Sequence, residues 1–322
     1  MEISVVVPTF NRLSTVSRSL ERLFEQEVAR DCFEIVVVVD GSTDGTADAL
    51  RRMKPECSFR VVEQENRGPS AARNTGYRTA EGKIILFLDD DMLCNPDLIA
   101  AHLEAHKGQN RTVAFGALFL SADSVQNLAA ECFKREIGRI HLEHPSGSGN
   151  SWRETDCVFS NTSISKKLLE ECGGFDENFR MREDLEIGYR LFLSGVKPKY
   201  IANAIAYQYY NKTSADLIRD AERFADADLL FARKYPVAEI EGQILWLKNA
   251  RRSETRFLRI AANHPKLTDS ILSPVCCVGE YFFNLTLPKR AGVRALQIRR
   301  RVHWLHKILE LDPRALDPQE NQ

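Results

Sequence analysis

The chain has 322 residues, 43% of them hydrophobic and 28% charged, and its 44 basic and 45 acidic side chains give a net charge of −1. This length is typical of one large domain or of one domain with an appendage, and it is sufficient to bury a sizeable core. The balanced charge gives no case for nucleic-acid binding, so we expect no nucleic-acid partner.

The first residues and the cysteines indicate the compartment. The first predicted strand begins at Ile3 with no basic, apolar leader before it, so we expect no signal peptide. The eight cysteines are scattered and none forms a CxxC pair, which favours neither a zinc site nor a disulfide framework. We therefore expect a protein of a reducing cytoplasm.

Strand and helix signals alternate over the first third of the chain. The predicted strands are 3–7, 33–39, 60–63 and 83–91, and the predicted helices are 13–24, 46–53 and 69–80. Asn11 is the predicted cap of the first helix. This alternation is typical of a parallel sheet covered by helices on both faces.

The fourth strand ends in three consecutive carboxylates, Asp89, Asp90 and Asp91. Adjacent like charges repel one another unless water surrounds them or a cation neutralises them. Hard oxygen ligands suit Mg²⁺ or Mn²⁺, and these ions in turn suit phosphates. The alternative interpretation is a solvated acidic turn.

Polar residues also end the other strands of the predicted sheet. Pro8 and Thr9 follow the first strand and Asp40 ends the second, so both lie at the edge where parallel sheets bind ligands. No GxGxxG or GxxxxGK[ST] follows the first strand, which disfavours dinucleotide and P-loop sites. Asp40 is suited to accept hydrogen bonds from a base or ribose, or else to cap the following turn.

The second half of the chain continues the pattern less regularly. We predict strands over 112–119 and 199–208, an amphipathic helix over 121–142, and a loop over 143–155 that contains Trp152.

Four motifs in order carry a resemblance to a known family. They are VVVPTFN (5–11), DGSTDGT (40–46), NRGPSAARN (66–74) and FLDDD (87–91). Together they resemble family 2 glycosyltransferases over about residues 1–235. The resemblance implies an α/β, Rossmann-like GT-A fold with a mixed, mainly parallel sheet. It also implies an inverting, metal-dependent enzyme that uses nucleotide-sugars.

The resemblance also implies roles for particular residues. It implies a strand over 157–165 and a helix that begins at Glu183 and Asp184, with Asp184 as the general base and the adjacent Glu183 as the alternative. Free N–H groups at a helix N-terminus hold a carboxylate well, and such a group can take a proton from a hydroxyl or serve only as a cap. Asp91 is the ligand of a Mn²⁺ or Mg²⁺ ion, and Asp89 or Asp90 contacts the ribose and the metal. The implied nucleotide-binding residues are Pro8, Thr9, Asn11, Asp40, Asn66, Gly68, Ala71, Arg73, Asn74, Asp89 and Asp90.

The chain lacks two features that are found in other members of the family. Many members carry a histidine near the end of the last strand, where this chain has Tyr207 and Gln208, so a third protein ligand for the metal is in doubt. The Gln-x-x-Arg-Trp motif of processive, membrane-embedded members is missing, which favours a non-processive enzyme.

Residues 236–322 are predicted to form a mostly helical region after a catalytic domain over 1–235. Residues 289–307 hold seven basic side chains and no acid, and Ile298, Val302, Leu305 and Leu309 follow at helical spacing. Two interpretations are open. The segment 289–309 is an amphipathic helix on an anionic membrane or a lipid-linked acceptor, or it is a helix packed on the catalytic domain with a solvated basic face.

The predicted function is transfer of a sugar from a nucleotide-sugar, with a UDP-sugar favoured, to a hydroxyl of a sugar, a lipid-linked molecule or another acceptor. Cell-surface polysaccharide, glycolipid and natural-product glycosylation all fit. The alternatives are a nucleotidyltransferase that makes nucleotide-sugars and a non-catalytic nucleotide-sugar-binding module. The expected location is the cytoplasm, with contact at the inner face of the membrane as a variant.

Overall fold

A computed structural model describes residues 1–109, 111–143, 158–235 and 252–315 of the chain. These residues belong to two compact units. The first comprises Met1–Asp123 and Ile137–Tyr210, and the second comprises Ser124–Glu136 and Asn211–Gln322. The predicted catalytic domain over 1–235 stays a prediction.

One eight-stranded sheet forms the centre of the first unit. Its strands are β1 (Ile3–Thr9), β2 (Phe33–Asp40), β3 (Ser58–Gln64), β4 (Ile84–Leu88), β5 (Met92–Cys94), β6 (Val113–Leu120), β7 (Asn161–Ser165) and β8 (Lys199–Gln208). The spatial order is β3-β2-β1-β4-β7-β6-β8-β5. The first four strands in this order run parallel, while β7 is antiparallel to both of its neighbours. The predicted mixed, mainly parallel sheet is confirmed.

Helices connect the strands and cover the sheet. They are α1 (Leu13–Phe24), α2 (Thr46–Arg51), α3 (Pro69–Thr79), α4 (Leu98–His106), α5 (Leu128–Glu143), α6 (Lys166–Glu171) and α7 (Glu183–Leu193). The predicted strands and helices up to residue 88 occur with ends that differ by a few residues. The short strand β5 was not predicted, because three residues carry too little pattern.

Two local predictions are wrong for identifiable reasons. Arg12, not Asn11, stands at the N-cap of α1. Asn11 has a φ of 52°, and its Oδ1 accepts the Thr43 N–H at 2.7 Å, which ties the β1–α1 loop to the β2–α2 loop. The helix predicted from residue 121 begins only at Leu128, because the Asn127 side chain caps it by accepting the Ala130 N–H at 2.8 Å. The predicted loop with Trp152 lies outside the described residues.

The register of the parallel strands brings their polar ends together. Thr9 of β1 pairs with Val39 of β2, one residue before Asp40, and Val6 pairs with Phe87 of β4. The carboxyl ends of the three strands therefore lie at one edge of the sheet, as the ligand-binding rule for such sheets predicts.

Three aromatic rings support the helical segment that follows β7. Phe87, Phe159 and Phe175 are buried and meet edge to face, with ring centroids 5.2–5.8 Å apart. Each such pair adds about 0.5–1.5 kcal/mol to the stability gained from burial. The cluster fixes residue 175 in space, and with it the segment that leads to α7.

A buried histidine joins α4 to the sheet. The Nε2 of His102 contacts the Asn161 Oδ1 at 2.9 Å and its Nδ1 contacts the Ser163 Oγ at 2.8 Å, both on β7. The His106 Nε2 lies 2.8 Å from the same serine oxygen. Because Asn161 Nδ2 donates to the carbonyls of Ala117 and Ala204, its Oδ1 is the acceptor, and the Nε2 of His102 carries the hydrogen of this bond.

This network predicts a stability that falls in mild acid. Burial lowers the pKa of His102 from 6.5 to about 4. The unfolded chain therefore binds the proton first, and stability is lost as the pH falls from above 6.5 towards 4. We expect urea unfolding to show that the parent loses about 2 kcal/mol more between pH 7 and pH 5 than the non-titrating variant His102→Gln. Parallel pH curves for the two proteins would contradict this expectation.

The second unit is helical. Its further helices are α8 (Ser214–Lys234), α9 (Arg252–Asn263), α10 (Pro265–Tyr281) and α11 (Thr286–Leu311). Thr213 and Asp216 form a capping box at the start of α8. The core of this unit joins residues of α8, α9 and α11: Ala221, Ala225, Leu229, Ala262, Trp304, Leu305 and Ile308.

The apolar stripe predicted for residues 289–309 faces inward. Val302 and Leu305 are buried and Ile298 and Leu309 are half-buried, so this stripe is not available to a membrane. Part of the basic face is paired as well, since Arg299 contacts Asp269 and Arg300 contacts Glu136. Within the second unit, α11 is therefore a packed helix. Among the described helices, none combines the length and the apolar composition needed to cross a bilayer.

Candidate active site

The acids after β4 are held by residues at the end of β1 and in the β1–α1 loop. Asp90 accepts a hydrogen bond from the Thr9 Oγ1 at 2.7 Å and pairs with the Arg12 Nη1 at 2.6 Å. The other guanidinium nitrogen, Nη2, lies 3.1 Å from an oxygen of Asp91. Gln208 at the end of β8 donates its amide to Asp91 at 3.2 Å. One arginine thus bridges two adjacent carboxylates.

These carboxylates remain poorly compensated. Burial raises the pKa of Asp90 to about 7, although Arg12 opposes the shift. Burial also raises the pKa of Asp91, again against Arg12, and Asp89 adds to the rise. A raised carboxyl pKa means that the ionised form lacks stabilisation. This part of the site therefore favours an additional positive charge or a proton.

A second arginine links the acidic strand end to α7. The guanidinium of Arg73, on α3, contacts the Asp89 Oδ1 at 2.9 Å and the Glu183 Oε1 at 2.7 Å. It lies 5.6 Å from the centroid of the Phe175 ring. Burial alone would lower the pKa of Arg73, but the surrounding carboxylates raise it, so it stays charged. Arg73 thus fixes Asp89 and the first residue of α7 relative to one another.

Asp184 lies next to this bridge in the first turn of α7. Its Oδ2 accepts the Phe159 N–H at 3.1 Å, while its Oδ1 is shielded from solvent and has no hydrogen-bond partner within the described part of the chain. Burial and the charge of Glu183 raise the pKa of Asp184 to about 7, although Arg73 opposes them. A carboxylate with one oxygen anchored and the other unused is suited to accept a proton near neutral pH.

Asp40 organises the loop between β3 and α3. Its carboxylate accepts the Arg67 N–H at 2.9 Å, the Gly68 N–H at 2.8 Å and the Gln64 amide at 2.7 Å. Gly68 has a φ of +92°, a conformation that side chains rarely adopt. Asp40 therefore holds the loop that begins α3 rather than the turn that follows β2.

The 66–74 motif also holds the segment before α7. Asn74 is buried, its Nδ2 donates to the Phe175 carbonyl at 2.8 Å, and its Oδ1 accepts the Phe175 N–H at 2.9 Å. The Arg67 guanidinium pairs with Glu177, and the Ser70 hydroxyl bonds the Phe179 carbonyl. In the structure, this motif positions the segment that carries Glu183 and Asp184.

The remaining predicted site residues lie around this network without bonding to it. Pro8 is partly buried beside Thr9, Ala71 is buried in α3, and Asn66 is exposed. Asn11 is exposed and bridges two loops at the strand ends. The structure therefore joins Thr9, Arg73, the three strand-end acids and Glu183 directly, with Asp184 alongside.

Sequence reasoning missed Arg12 and gave Gln208 no role. Arg12 directly follows the first motif, and a basic residue so close to a strand-end acid cluster was the available signal. At Gln208, the sequence shows only that the histidine common in the family is missing. Both residues contact Asp91.

The carboxylate oxygens of this site suit a divalent cation that also binds a diphosphate. Carboxylates in this network outnumber guanidiniums by five to two. The carboxylates belong to Asp89, Asp90, Asp91, Glu183 and Asp184, and the guanidiniums to Arg12 and Arg73. Within the described ranges, no three His, Cys, Asp or Glu side chains form a ready metal cage. Mg²⁺ sites typically use one or two carboxylates together with substrate phosphates, and these residues fit that arrangement.

Solved structures share this fold. A mannosyltransferase from Pyrobaculum calidifontis, solved with GDP-Man and Mn²⁺, has a TM-score of 0.63 at 21% identity, covering 95% of this chain and 86% of that one. Staphylococcus aureus TarS 1–349 with UDP-GlcNAc has a TM-score of 0.52 at 17% identity, covering 97% and 92%. At these identities the likeness concerns the fold alone.

Curated relatives match a little under two thirds of the chain. A validoxylamine A glucosyltransferase of Streptomyces hygroscopicus subsp. jinggangensis is 31% identical over 219 residues, covering 60% of this chain and 52% of that protein. A chondroitin synthase of Escherichia coli is 28% identical over 236 residues, covering 64% and 34%. The chain spans about half the length of the first of these relatives.

The match to a protein family extends over a longer stretch of the chain than any single motif does. The sequence pattern of glycosyl transferase family 2 matches residues 4–173, which is more than half of the chain. The matched region contains β1 to β7, Arg73 and the three strand-end acids. The resemblance of the four motifs is therefore confirmed, and the chain belongs to glycosyl transferase family 2.

Proposed function

We propose that the protein transfers a sugar from a nucleoside diphosphate sugar to a hydroxyl group by a single displacement at the anomeric carbon. The observation that carries this proposal is the Arg73 bridge. It holds Asp89 at the acidic strand end and Glu183 beside Asp184 in one hydrogen-bonded network. This bridge supports the proposal, because a diphosphate bound at the strand end and a base at Asp184 would then be neighbours.

In this mechanism Asp184 is the general base. The attacking hydroxyl gives its proton to the unused Oδ1, while the Phe159 N–H keeps the other oxygen in place. With its pKa raised to about 7, Asp184 is more basic than an ordinary carboxylate and still partly ionised at neutral pH. Direct attack on the face opposite the leaving group inverts the anomeric configuration.

On the donor side, Asp91 and Asp89 would hold the divalent cation, Mn²⁺ or Mg²⁺. When bound, such an ion supplies positive charge that stabilises a leaving diphosphate. Arg12 pairs with Asp90 and Asp91, and its guanidinium could exchange a carboxylate for a phosphate oxygen. Asp40 and the loop it holds would line the nucleoside side, with Asp40 on the base.

We propose a UDP-linked donor and an acceptor that is a sugar or lipid-linked hydroxyl. UDP-GlcNAc and GDP-Man in the two structures of the same fold support a nucleoside diphosphate sugar in general. The glucosyltransferase and chondroitin synthase relatives support glycosylation of small molecules or polysaccharides.

A thermal-shift screen tests the identity of the sugar donor. It uses UDP-glucose, UDP-GlcNAc, UDP-galactose and GDP-mannose, each with and without Mn²⁺. A ligand at 100 times its Kd stabilises the folded state by about 2.7 kcal/mol, so we expect the melting temperature to rise by several degrees for the true donor. CMP-sialic acid, a nucleoside monophosphate sugar, is the control. No shift with any diphosphate donor, or an equal shift with the control, would contradict the proposal.

A further inference from the structure

The second unit presents a large apolar face on α10. Leu267, Ile271, Val278 and Tyr281 are exposed, by 60% for Leu267, 62% for Ile271 and 83% for Tyr281. Their spacing of three, four and seven residues places them along one side of the helix. The apolar surface continues beyond α10 through the exposed residues Phe282, Leu285 and Leu287. Monomeric proteins rarely leave so many large apolar side chains together in water.

This face carries no negative charge, because the acids of α10 point away from it. Asp269 accepts hydrogen bonds from the Arg299 Nε at 2.8 Å and contacts the His303 Nε2 at 3.0 Å. Glu280 accepts the Ser214 hydroxyl at 3.1 Å and lies 3.2 Å from the Leu128 N–H. Both carboxylates are therefore used inside the second unit.

Cations flank the apolar face at the start of α11. Lys289 lies 5.0 Å from the centroid of the Phe283 ring. Arg290 and Arg294 are exposed and make no ion pair with any residue in the described ranges. Aromatic residues followed by cations are typical of segments that sit at the level of lipid headgroups.

We propose that α10 and the start of α11 dock on an anionic phospholipid surface. The apolar side chains would enter the headgroup boundary, and Lys289, Arg290 and Arg294 would meet the lipid phosphates. A second copy of the chain fits less well, because it would bring the same cations and no free acid to this face. The membrane contact thus involves α10 rather than the apolar stripe of α11.

Flotation of the full chain with lipid vesicles tests the proposal. We expect it to float with phosphatidylglycerol-containing vesicles and much less with pure phosphatidylcholine, and to be released by high salt. The variant Ile271→Glu should bind at least tenfold more weakly, since it places a charge in the apolar face. Replacing both Lys289 and Arg290 by alanine should weaken binding about fivefold per cation.

The matched control is Leu193→Glu, which changes an equally exposed leucine, 62% exposed, on α7 of the first unit. It should float like the parent. Because Ile271, Arg290 and Leu193 are exposed and Lys289 is half-buried, the variants should melt like the parent. If the parent does not float with anionic vesicles at low salt, or if Ile271→Glu floats as well as the parent, the proposal is wrong. Sedimentation that shows a parent dimer dissociated by Ile271→Glu, without vesicle binding, would assign the face to self-association instead.

Discussion

Replacing Asp184 by Asn lowers the rate of sugar transfer by roughly 10²–10⁴, the usual contribution of general acid–base catalysis, while donor affinity stays close to that of the parent. The amide is nearly isosteric and keeps an oxygen for the Phe159 N–H, but it cannot take a proton. Steady-state transfer rates and calorimetric donor affinities measure the two effects separately.

The pH profile supplies a second readout of the same substitution. Asp184 acts only when ionised, and its pKa is raised to about 7. The kcat/KM of the parent should therefore rise as the pH increases through about 7 and level off above it. Asp184→Asn should lose this rise, because the titrating group has been removed.

Glu183→Gln is the necessary comparison, since Glu183 adjoins Asp184 and pairs with Arg73. We expect it to disturb the network and reduce transfer less than Asp184→Asn does. If Asp184→Asn transfers sugar at nearly the parent rate while Glu183→Gln does not, Glu183 is the base. Circular dichroism and melting of each variant show whether a loss of activity reflects unfolding, in which case Asp184 acts as a helix cap.

Replacing Asp91 by Ala is expected to weaken donor binding as well as transfer. The variant loses an expected ligand of the cation and leaves the Arg12 Nη2 and the Gln208 amide without their shared carboxylate. Loss of groups that only support a metal ligand already weakens metal binding 10- to 100-fold, so we expect at least that loss for Mn²⁺ and for UDP in its presence.

Calorimetry with Mn²⁺ alone, UDP alone and both together resolves these steps. Asp123→Ala is the control, because Asp123 is an exposed carboxylate of the first unit whose salt bridge, to Arg18, lies outside the network. It should bind Mn²⁺ and UDP like the parent. Equal affinities for Asp91→Ala and the parent, with and without EDTA, would show that Asp91 holds no metal.

The family, the central sheet and most residues of the candidate site can be predicted from the amino-acid sequence alone. These features depend on local patterns: buried strands that end at Thr9, Asp40 and Asp89, and motifs whose spacing is specific. Because parallel strands must end at one edge, polar residues at their ends could be placed together without coordinates. For the same reason, the acids at 89–91 could be recognised as one side of a site.

Contacts between side chains that are distant in the sequence are visible only in the folded structure. The Arg12 contact with Asp90 and the Arg73 contact with Glu183 join residues 78 and 110 positions apart, and no local pattern specifies such pairs. The hydrophobic periodicity of a helix likewise does not show whether its apolar face is covered by other helices. The sequence pattern makes 289–309 a candidate membrane helix, yet packing in the second unit buries Val302 and Leu305 and leaves Ile271 and Tyr281 of α10 in solvent. Burial depends on neighbouring helices, and their arrangement is a property of the folded chain rather than of any one segment.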